Sequence, residues 1–420
     1  MTETPKPDAR AEADLVARAS YGRLIAVLAS RSGDIAGAED ALADAFAKAL
    51  ETWPTQGIPD APEAWLLTVA KNRQRDAAKS AANRTAAGSL DDEDFSMRHA
   101  PTIEIREASA DIPDERLKLM FACAHPAIDD AIHTPLMLQT VLGFEANDIA
   151  SAYLIPGATL AQRLVRAKRK IRDARIPFVV PDRHDIAPRL DTVLEAIYGA
   201  YTLAWQDAAE ADATRDLSSE ALYLATTVAD LLPDEPEALG LAALLAFSMA
   251  RRDARLDGDG VLVPTDRQDT ALWNRMFIRR AETMLRRAAR QSRPGRFQIE
   301  AAIQSVHADR ADTGTTDWVA IAALYDALMA VAPTMGAAVA RAAAVGHGHG
   351  GEAGLNALAL IEMDDARSFQ PFWAVAAFLH RCAGDEPVAQ AAYAKAIDLC
   401  TDVPTRRWLE REKQSTSMVS

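Results

Sequence analysis

Apolar residues recur every three or four positions along most of this chain, the period of an α-helix packed on one side. Residues 12–53 read as two helices. In the second, Ala38, Leu42, Ala45, Ala49 and Trp53 form one apolar stripe. Glu39, Asp40, Asp44 and Glu51 fall largely off that stripe, so this helix offers an acidic outer face. "WPTQGIPDAPEAW" breaks the pattern with three prolines and a glycine and reads as a loop. A third helix is predicted from about Glu63 to Arg84. Thr68, Asn72, Arg75 and Lys79 follow one another at i, i+4, i+7 and i+11 and share a polar face, flanked by Lys71 and Arg73.

Residues 85–112 lose the period. They contain "GSLDDEDFS", polar and acidic, and read as a linker. Beyond it a helix is expected from about Pro113 to Ala124. Another follows, with Thr134 as N-cap and Pro135 at the first helical position, ending near Gly143. Then come a short helix carrying Ile149 and Ala150, a tight turn at Leu154–Ala158, and a longer helix opened by Thr159. Leu160, Leu164, Ala167 and Ile171 make the buried stripe of the last. This is a helix-turn-helix pattern. From about Ile186 helix follows helix, interrupted by "RLDGDGVLVPTDRQD" and "GHGHGGEAG", both read as loops. Near the end, Trp373, Ala377, Gly384, Ala389, Tyr393 and Ala396 fall at tetratricopeptide-like spacing. The fold class is therefore all-α. Two small helical domains are expected at 12–86 and 113–180, an acidic linker at 87–112, and an irregular helical-repeat domain at 186–412.

Charge sharpens this outline. The 420 residues carry a formal net charge of -14. Yet Pro156 to Phe178 hold Arg163, Arg166, Lys168, Arg169, Lys170, Arg172 and Arg175 against one acid, Asp173. An acidic total repels phosphate at long range, and a local basic face remains compatible with it. No run reaches the roughly 18 apolar residues of a membrane span, and "MTETPKPDAR" has no apolar signal-peptide core, so a cytoplasmic location is expected. Cys123, Cys382 and Cys400 are an odd set without C-x-x-C spacing, which speaks against disulfides and zinc. Cys123 with His125 reads as core packing, and His347 with His349 as a spacer. No phosphate-binding glycine loop is present, and no cofactor or metal is expected.

"AEDALADAFAKALETWP", "AWLLTVAKNRQRD" and "DIASAYLIPGATLAQRLVRAKRKIR", in that order, resemble the two halves of a bacterial sigma factor of the extracytoplasmic function (ECF) class. "ARIPFVVP", "LLPDEPEALGLAALL", "FQIEAAIQSVHA" and "TDWVAIAALYDAL" resemble a branch of that class with an appended tetratricopeptide-like domain. The chain departs from that branch at "YGAY" (198–201), "DRQD" (266–269) and Ala340. The resemblance implies a non-enzymatic subunit that binds core RNA polymerase and directs it to promoter DNA, with the bond-making left to the polymerase. By the same resemblance Glu39, Asp40, Asp44 and Phe46 dock on the polymerase. Trp65, Thr68, Asn72, Arg75 and Lys79 belong to the element that reads and melts the minus-ten region, behind a base-capturing loop at 56–63. Thr159, Ala161, Gln162, Arg163, Arg166 and Arg169 read the minus-thirty-five element. An intramolecular contact of the C-terminal domain with the sigma domains is a further expectation.

The residue types suit those tasks. Arginine neutralises phosphates and releases counterions, while sequence is read at base edges. Gln162 is suited to pair bidentately with adenine and Ala161 to touch a thymine methyl; Arg163 and Arg166 suit either guanine or phosphate. Lys168, Lys170 and Arg172 read as backbone contacts or solvated charges. Trp65 suits stacking on an extruded base, or anchoring of the loop. Two other readings fit a basic helix: a stand-alone helix-turn-helix regulator with a sensing domain, and a repeat scaffold whose basic helix is incidental. The acidic helix with "AWLLTVAKNRQRD" favours the sigma reading over the regulator, which has no use for a polymerase-docking domain; co-purification without polymerase would favour the scaffold.

Overall fold

The computed structural model describes residues 9–86, 112–153, 155–181, 183–206 and 217–417. Among them the regular structure is helical, and the one β-feature is an isolated antiparallel bridge between Leu256 and Leu262. The linker expected at 87–112 lies outside the described residues except for Ile112, which opens a helix. The chain divides into two compact units, at Ala200/Tyr201 within one long helix.

The first unit begins with α1 (Ala9–Ser32), α2 (Ile35–Gln56) and α3 (Pro62–Ala86), which pack on one another. Asp34 caps α2 by accepting from the Gly37 amide at 3.2 Å. The predicted stripe of α2 is buried in full: Ala38, Leu42, Ala45, Ala49 and Trp53 meet Leu24, Ile25 and Leu28 of α1 and Leu66 and Ala70 of α3 in one core. Helix α2 runs through Pro54 and stops at Gly57, whose φ of 89° is open to glycine at no steric cost. The predicted loop thus shrinks to residues 57–61.

Next come α4 (Ile112–Cys123), α5 (Asp130–Thr140), α6 (Ala146–Ala152) and α7 (Gly157–Asp173). Thr134 is not an N-cap. Asp129 caps α5 a turn earlier, accepting from Ala131 N at 3.1 Å, and Pro135 sits inside the helix, where its ring removes a single backbone bond. Thr159 likewise does not open α7. Its amide donates to Pro156 O at 2.9 Å, so the helix already begins at Gly157. The stripe Leu160, Leu164, Ala167 and Ile171 is buried as expected.

These helices pack against the first three within the same unit. Helix α4 lies on α1, and Gly22 of α1 comes so close to the end of α5 that a Cβ there would lie 1.7 Å from the Val141 carbonyl oxygen. Cys123 is buried, its thiol pushed up to about 12 by burial, in keeping with a core role.

Helix α8 (Arg183–Gln206) carries the chain across the division. The second unit contains α9 (Leu217–Leu231), α10 (Pro236–Ala250), α11 (Arg275–Ala289), α12 (Arg296–Thr313), α13 (Trp318–Val331), α14 (Met335–His349), α15 (Gly351–Leu358), α16 (Met363–Ala366), α17 (Gln370–Cys382), α18 (Glu386–Leu399) and α19 (Val403–Ser417). Most of these helices pack on their chain neighbours, as helical repeats do. Helix α10 is its centre, buried almost all round. The segment "RLDGDGVLVPTDRQD" is the expected loop, tied down by Arg411 on Asp257 and Asp259.

"GHGHGGEAG" is not a loop. It is helical on both sides of Gly350, the single residue between α14 and α15. Its glycines serve close packing. A Cβ on Gly346 or Gly354 would strike Leu379, and one on Gly351 would strike the backbone of α17. His347, read as part of a spacer, stacks between Trp318 (4.0 Å, 8°) and Phe378 (4.4 Å, 28°). His307 meets Trp318 edge-on at 5.4 Å. Burial, then Arg251 and Arg310, push the His307 imidazole down to about 3. The folded chain therefore keeps His307 neutral while the unfolded chain binds a proton below about pH 6.5. Stability from this group is present above that pH and is lost as pH falls towards 3. Thermal melts should show a loss of about 2 kcal/mol between pH 7 and pH 5, and His307→Gln should flatten that dependence. An equal slope in wild type and variant would show that His307 is not its source.

Candidate nucleic-acid and polymerase interface

Helix α7 sorts its residues by side. With the apolar stripe turned inward, Thr159, Ala161, Gln162, Arg163, Arg166 and Arg169 are all exposed. Gln162, Arg166 and Arg169 form one row at helical spacing, and Ala161 and Val165 complete a shallow depression with them. Val165 is 56% exposed, an apolar contact on this face that the sequence reading passed over. Arg163, Arg166 and Arg169 make no ion pair among the described residues, so their guanidiniums point into solvent uncommitted. Exposed arginines around an exposed glutamine form a surface matched to phosphates and base edges.

Helix α3 carries a second polar row. Thr68, Asn72, Arg75 and Lys79 are all exposed along it, as their spacing predicts. The Thr68 hydroxyl donates to Ala64 O at 2.8 Å, leaving its oxygen outward. Lys71, half-buried, is held below the ordinary lysine range by burial and by Arg31. At the head of α3, Glu63 is bound to Ser20 and Arg23 of α1. Trp65 is half-buried and packs edge-to-face on the buried Trp53 at 5.6 Å and 64°, which pins the 57–61 loop to the core.

The predicted docking residues of α2 separate into two groups. Asp40 and Asp44, one turn apart, are exposed; Asp44 meets Arg73 of α3 at 3.4 Å. Glu39 and Phe46, seven residues apart, lie half-buried on another side. Glu39 faces α7, where it accepts from Lys168 Nζ at 2.5 Å. Beside it Tyr21 has its hydroxyl held above the ordinary range by burial and by the Glu39 charge. Arg172 of α7 reaches Asp34, the cap of α2, at 3.9 Å.

Lys168 is thus neither solvated nor free for DNA backbone, whereas Arg172 stays exposed, meeting Asp173 at 3.1 Å besides Asp34. Lys168 and Arg172 join the helix-turn-helix to the acidic helix. The signal was present in the sequence: Lys168 follows Leu164 by four residues and continues the buried stripe. Its ammonium is buried, with a side chain 9% exposed, because a carboxylate waits there. Among the described residues no cluster of metal-binding side chains occurs, and no helix is long and apolar enough to cross a membrane.

Comparison with known proteins gives this geometry a lineage. Residues 16–84, which contain α2 and most of α3, match the model of sigma-70 region 2. Residues 189–289 match a family of unknown function (DUF6596). An uncharacterised protein of Rhizobium meliloti (strain 1021) is 34% identical over 384 residues, covering 89% of each chain. No solved structure matches. Sigma-70 region 2 carries with it core RNA polymerase and promoter DNA as partners. With an acidic helix, a polar-faced helix and a sigma-70 region in its first half and an added helical domain in its second, the chain belongs to the ECF-like RNA polymerase sigma factors.

Proposed function

We propose that this sigma factor selects and opens promoters through two faces, α7 for the minus-thirty-five element in duplex DNA and α3 for the melted minus-ten strand. The observation that carries the reading is the pair of exposed rows, Gln162–Arg166–Arg169 and Thr68–Asn72–Arg75–Lys79, on helices whose other sides are core. The first can present an amide and guanidiniums to base edges in the major groove. The second offers small polar and cationic groups where strand separation costs a few kcal/mol of unstacking. Reconstituted transcription with core polymerase on a promoter library tests both. Gln162→Ala should relax base preference at one upstream position by about 1–3 kcal/mol, leaving opening unchanged. Asn72→Ala should slow open-complex formation while upstream preference stays. Duplex binding by the isolated chain with the affinity of the holoenzyme would instead favour a stand-alone regulator.

The Lys168–Glu39 pair adds a condition. Within the compact first unit Glu39 is already bound, so polymerase and α7 compete for the same carboxylate. Docking through Glu39 then requires the two sigma domains to part. Removing one partner of such a pair costs on the order of 3 kcal/mol in the closed arrangement. Lys168→Met should therefore raise affinity for core polymerase by up to about 100-fold in a titration without DNA. Gly22→Ala, which wedges α1 from Val141 without touching charge, should do the same. If both variants bind polymerase as wild type does, the closed arrangement does not gate docking.

The C-terminal unit is read here as a regulator of the sigma domains, supported by covalent linkage, which gives a tethered domain a high effective concentration. Removing residues from 207 onward should change promoter output in reconstituted transcription. Unchanged output and unchanged polymerase affinity would dismiss that role.

A further inference from the structure

Residues 271–300 hold eight arginines against Glu282 and Glu300, with no lysine, in a protein of net charge -14. Most of them sit on α11. Asn274 caps this helix by accepting from the Met276 and Phe277 amides. Ala281, Met284 and Ala288 are buried and Phe277, Ile278 and Leu285 half-buried, so one side is spent on α10 and α12. Arg275, Met276, Arg279, Arg280, Thr283, Arg286, Arg287 and Arg290 are exposed on the other.

The ion pairs divide this set. Arg275 meets Asp312 at 2.6 Å, Arg286 meets Glu282 at 3.4 Å, and Arg293, beyond the helix, meets Glu235 at 3.5 Å. Arg279, Arg280, Arg287 and Arg290 meet no acid among the described residues. At 100° per residue these four span an arc of about 100°, and about 16 Å of helix axis separates Arg279 from Arg290. No carboxylate lies within that arc; its other members are Thr283 and, at one end, Met276.

Three kinds of partner can be weighed on this surface. A protein interface is centred on apolar or aromatic anchors, and here Met276 stands at the margin. A lipid surface takes an amphipathic helix by its apolar side, and that side of α11 lies in the fold. A polyanion needs only charge and donors. Guanidinium, chosen over ammonium at all eight positions, forks onto phosphate oxygens two at a time. The chain belongs to a family whose partner is promoter DNA, so duplex DNA is the polyanion that the tethered second unit meets at raised effective concentration once the holoenzyme binds a promoter.

We infer that the outer face of α11 is a further, sequence-independent contact with duplex DNA, in which Arg279, Arg280, Arg287 and Arg290 grip backbone phosphates. It rests on the promoter-directing reading of the first unit but uses none of its residues. Such a contact strengthens DNA binding without choosing a sequence.

The test uses the holoenzyme assembled from the full chain and core polymerase, with duplex promoter DNA titrated across a salt series. The variant R279Q/R280Q/R287Q/R290Q should lower the slope of log affinity against log salt by about 2–4, since each phosphate contact contributes about 0.9. Unrelated duplex DNA should lose affinity in proportion, and start-site choice should not change. Single variants R287Q and R290Q should each lower the slope by about 1, which keeps the test open if the quadruple variant does not fold. Replacement of the four by lysine should restore most of the slope. An unchanged slope with correct starts overturns this contact and spares the promoter reading; loss of directed starts in the wild-type holoenzyme overturns that reading itself. Weakened binding to core polymerase without DNA, or a greater loss on single-stranded RNA than on duplex DNA, also overturns it.

Discussion

A buried ammonium must meet a carboxylate or be expelled. In the first unit Lys168 and Glu39 satisfy that rule for each other, and much else follows from their meeting. The pair sets the rotation of α7 about its axis. With Lys168 turned to α2 and the Leu160–Ile171 stripe turned to the core, Gln162, Arg166 and Arg169 face solvent. It also sets which side of α2 is closed, leaving Asp40 and Asp44 outside. Neither helix could be turned by one residue without stranding a charge in the interior. Close approach of α1 at Gly22 and the Arg172–Asp34 contact reinforce the same register.

This arrangement accounts for a basic helix in an acidic protein. The positive charge of α7 divides between two duties. Lys168 and Arg172 lie on the flank that meets α2, where acids are needed. Arg163, Arg166 and Arg169 lie where acids are absent. The long-range field of the whole chain remains negative, so isolated sigma factor gains little from steering towards DNA. In the proposed function, affinity is supplied once polymerase is bound, and the exposed arginines then act at contact distance, where the net field matters less than the local donors.

Much of this was legible in the residue pattern. The stripes of α2 and α7 are buried residue for residue, and the polar row of α3 is exposed along its length, because helical period fixes which side faces the core. What failed depended on partners far away in sequence. Lys168 looked solvated because its carboxylate lies 129 positions upstream. The glycines of "GHGHGGEAG" looked like turn formers, yet Gly346 and Gly354 are there to admit Leu379, a contact that local propensity does not encode. Thr134 and Thr159 are good capping residues that lost to Asp129 and Pro156, each placed a few residues earlier in the chain.

The same distinction between paired and unpaired charge separates the arginines of the second unit. Where an arginine closes a structural gap it has found an acceptor. Arg267 and Arg381 converge on Glu412, Arg411 clamps Asp257 and Asp259, and Arg310 donates to the carbonyls of Thr265 and Gln268. These contacts hold the "RLDGDGVLVPTDRQD" loop against the helices that follow it. On α11 acceptors occur only at the flank and near the ends, and the middle of the face goes without. Four guanidiniums on one exposed arc repel one another, and helix propensity alone gives no reason to gather them there, since lysine, glutamate and glutamine serve almost as well. Folding of this unit would be served by spreading them. Their concentration is best explained by a multivalent anion on the outside, for which the spacing that is a cost to the free protein becomes the means of attachment.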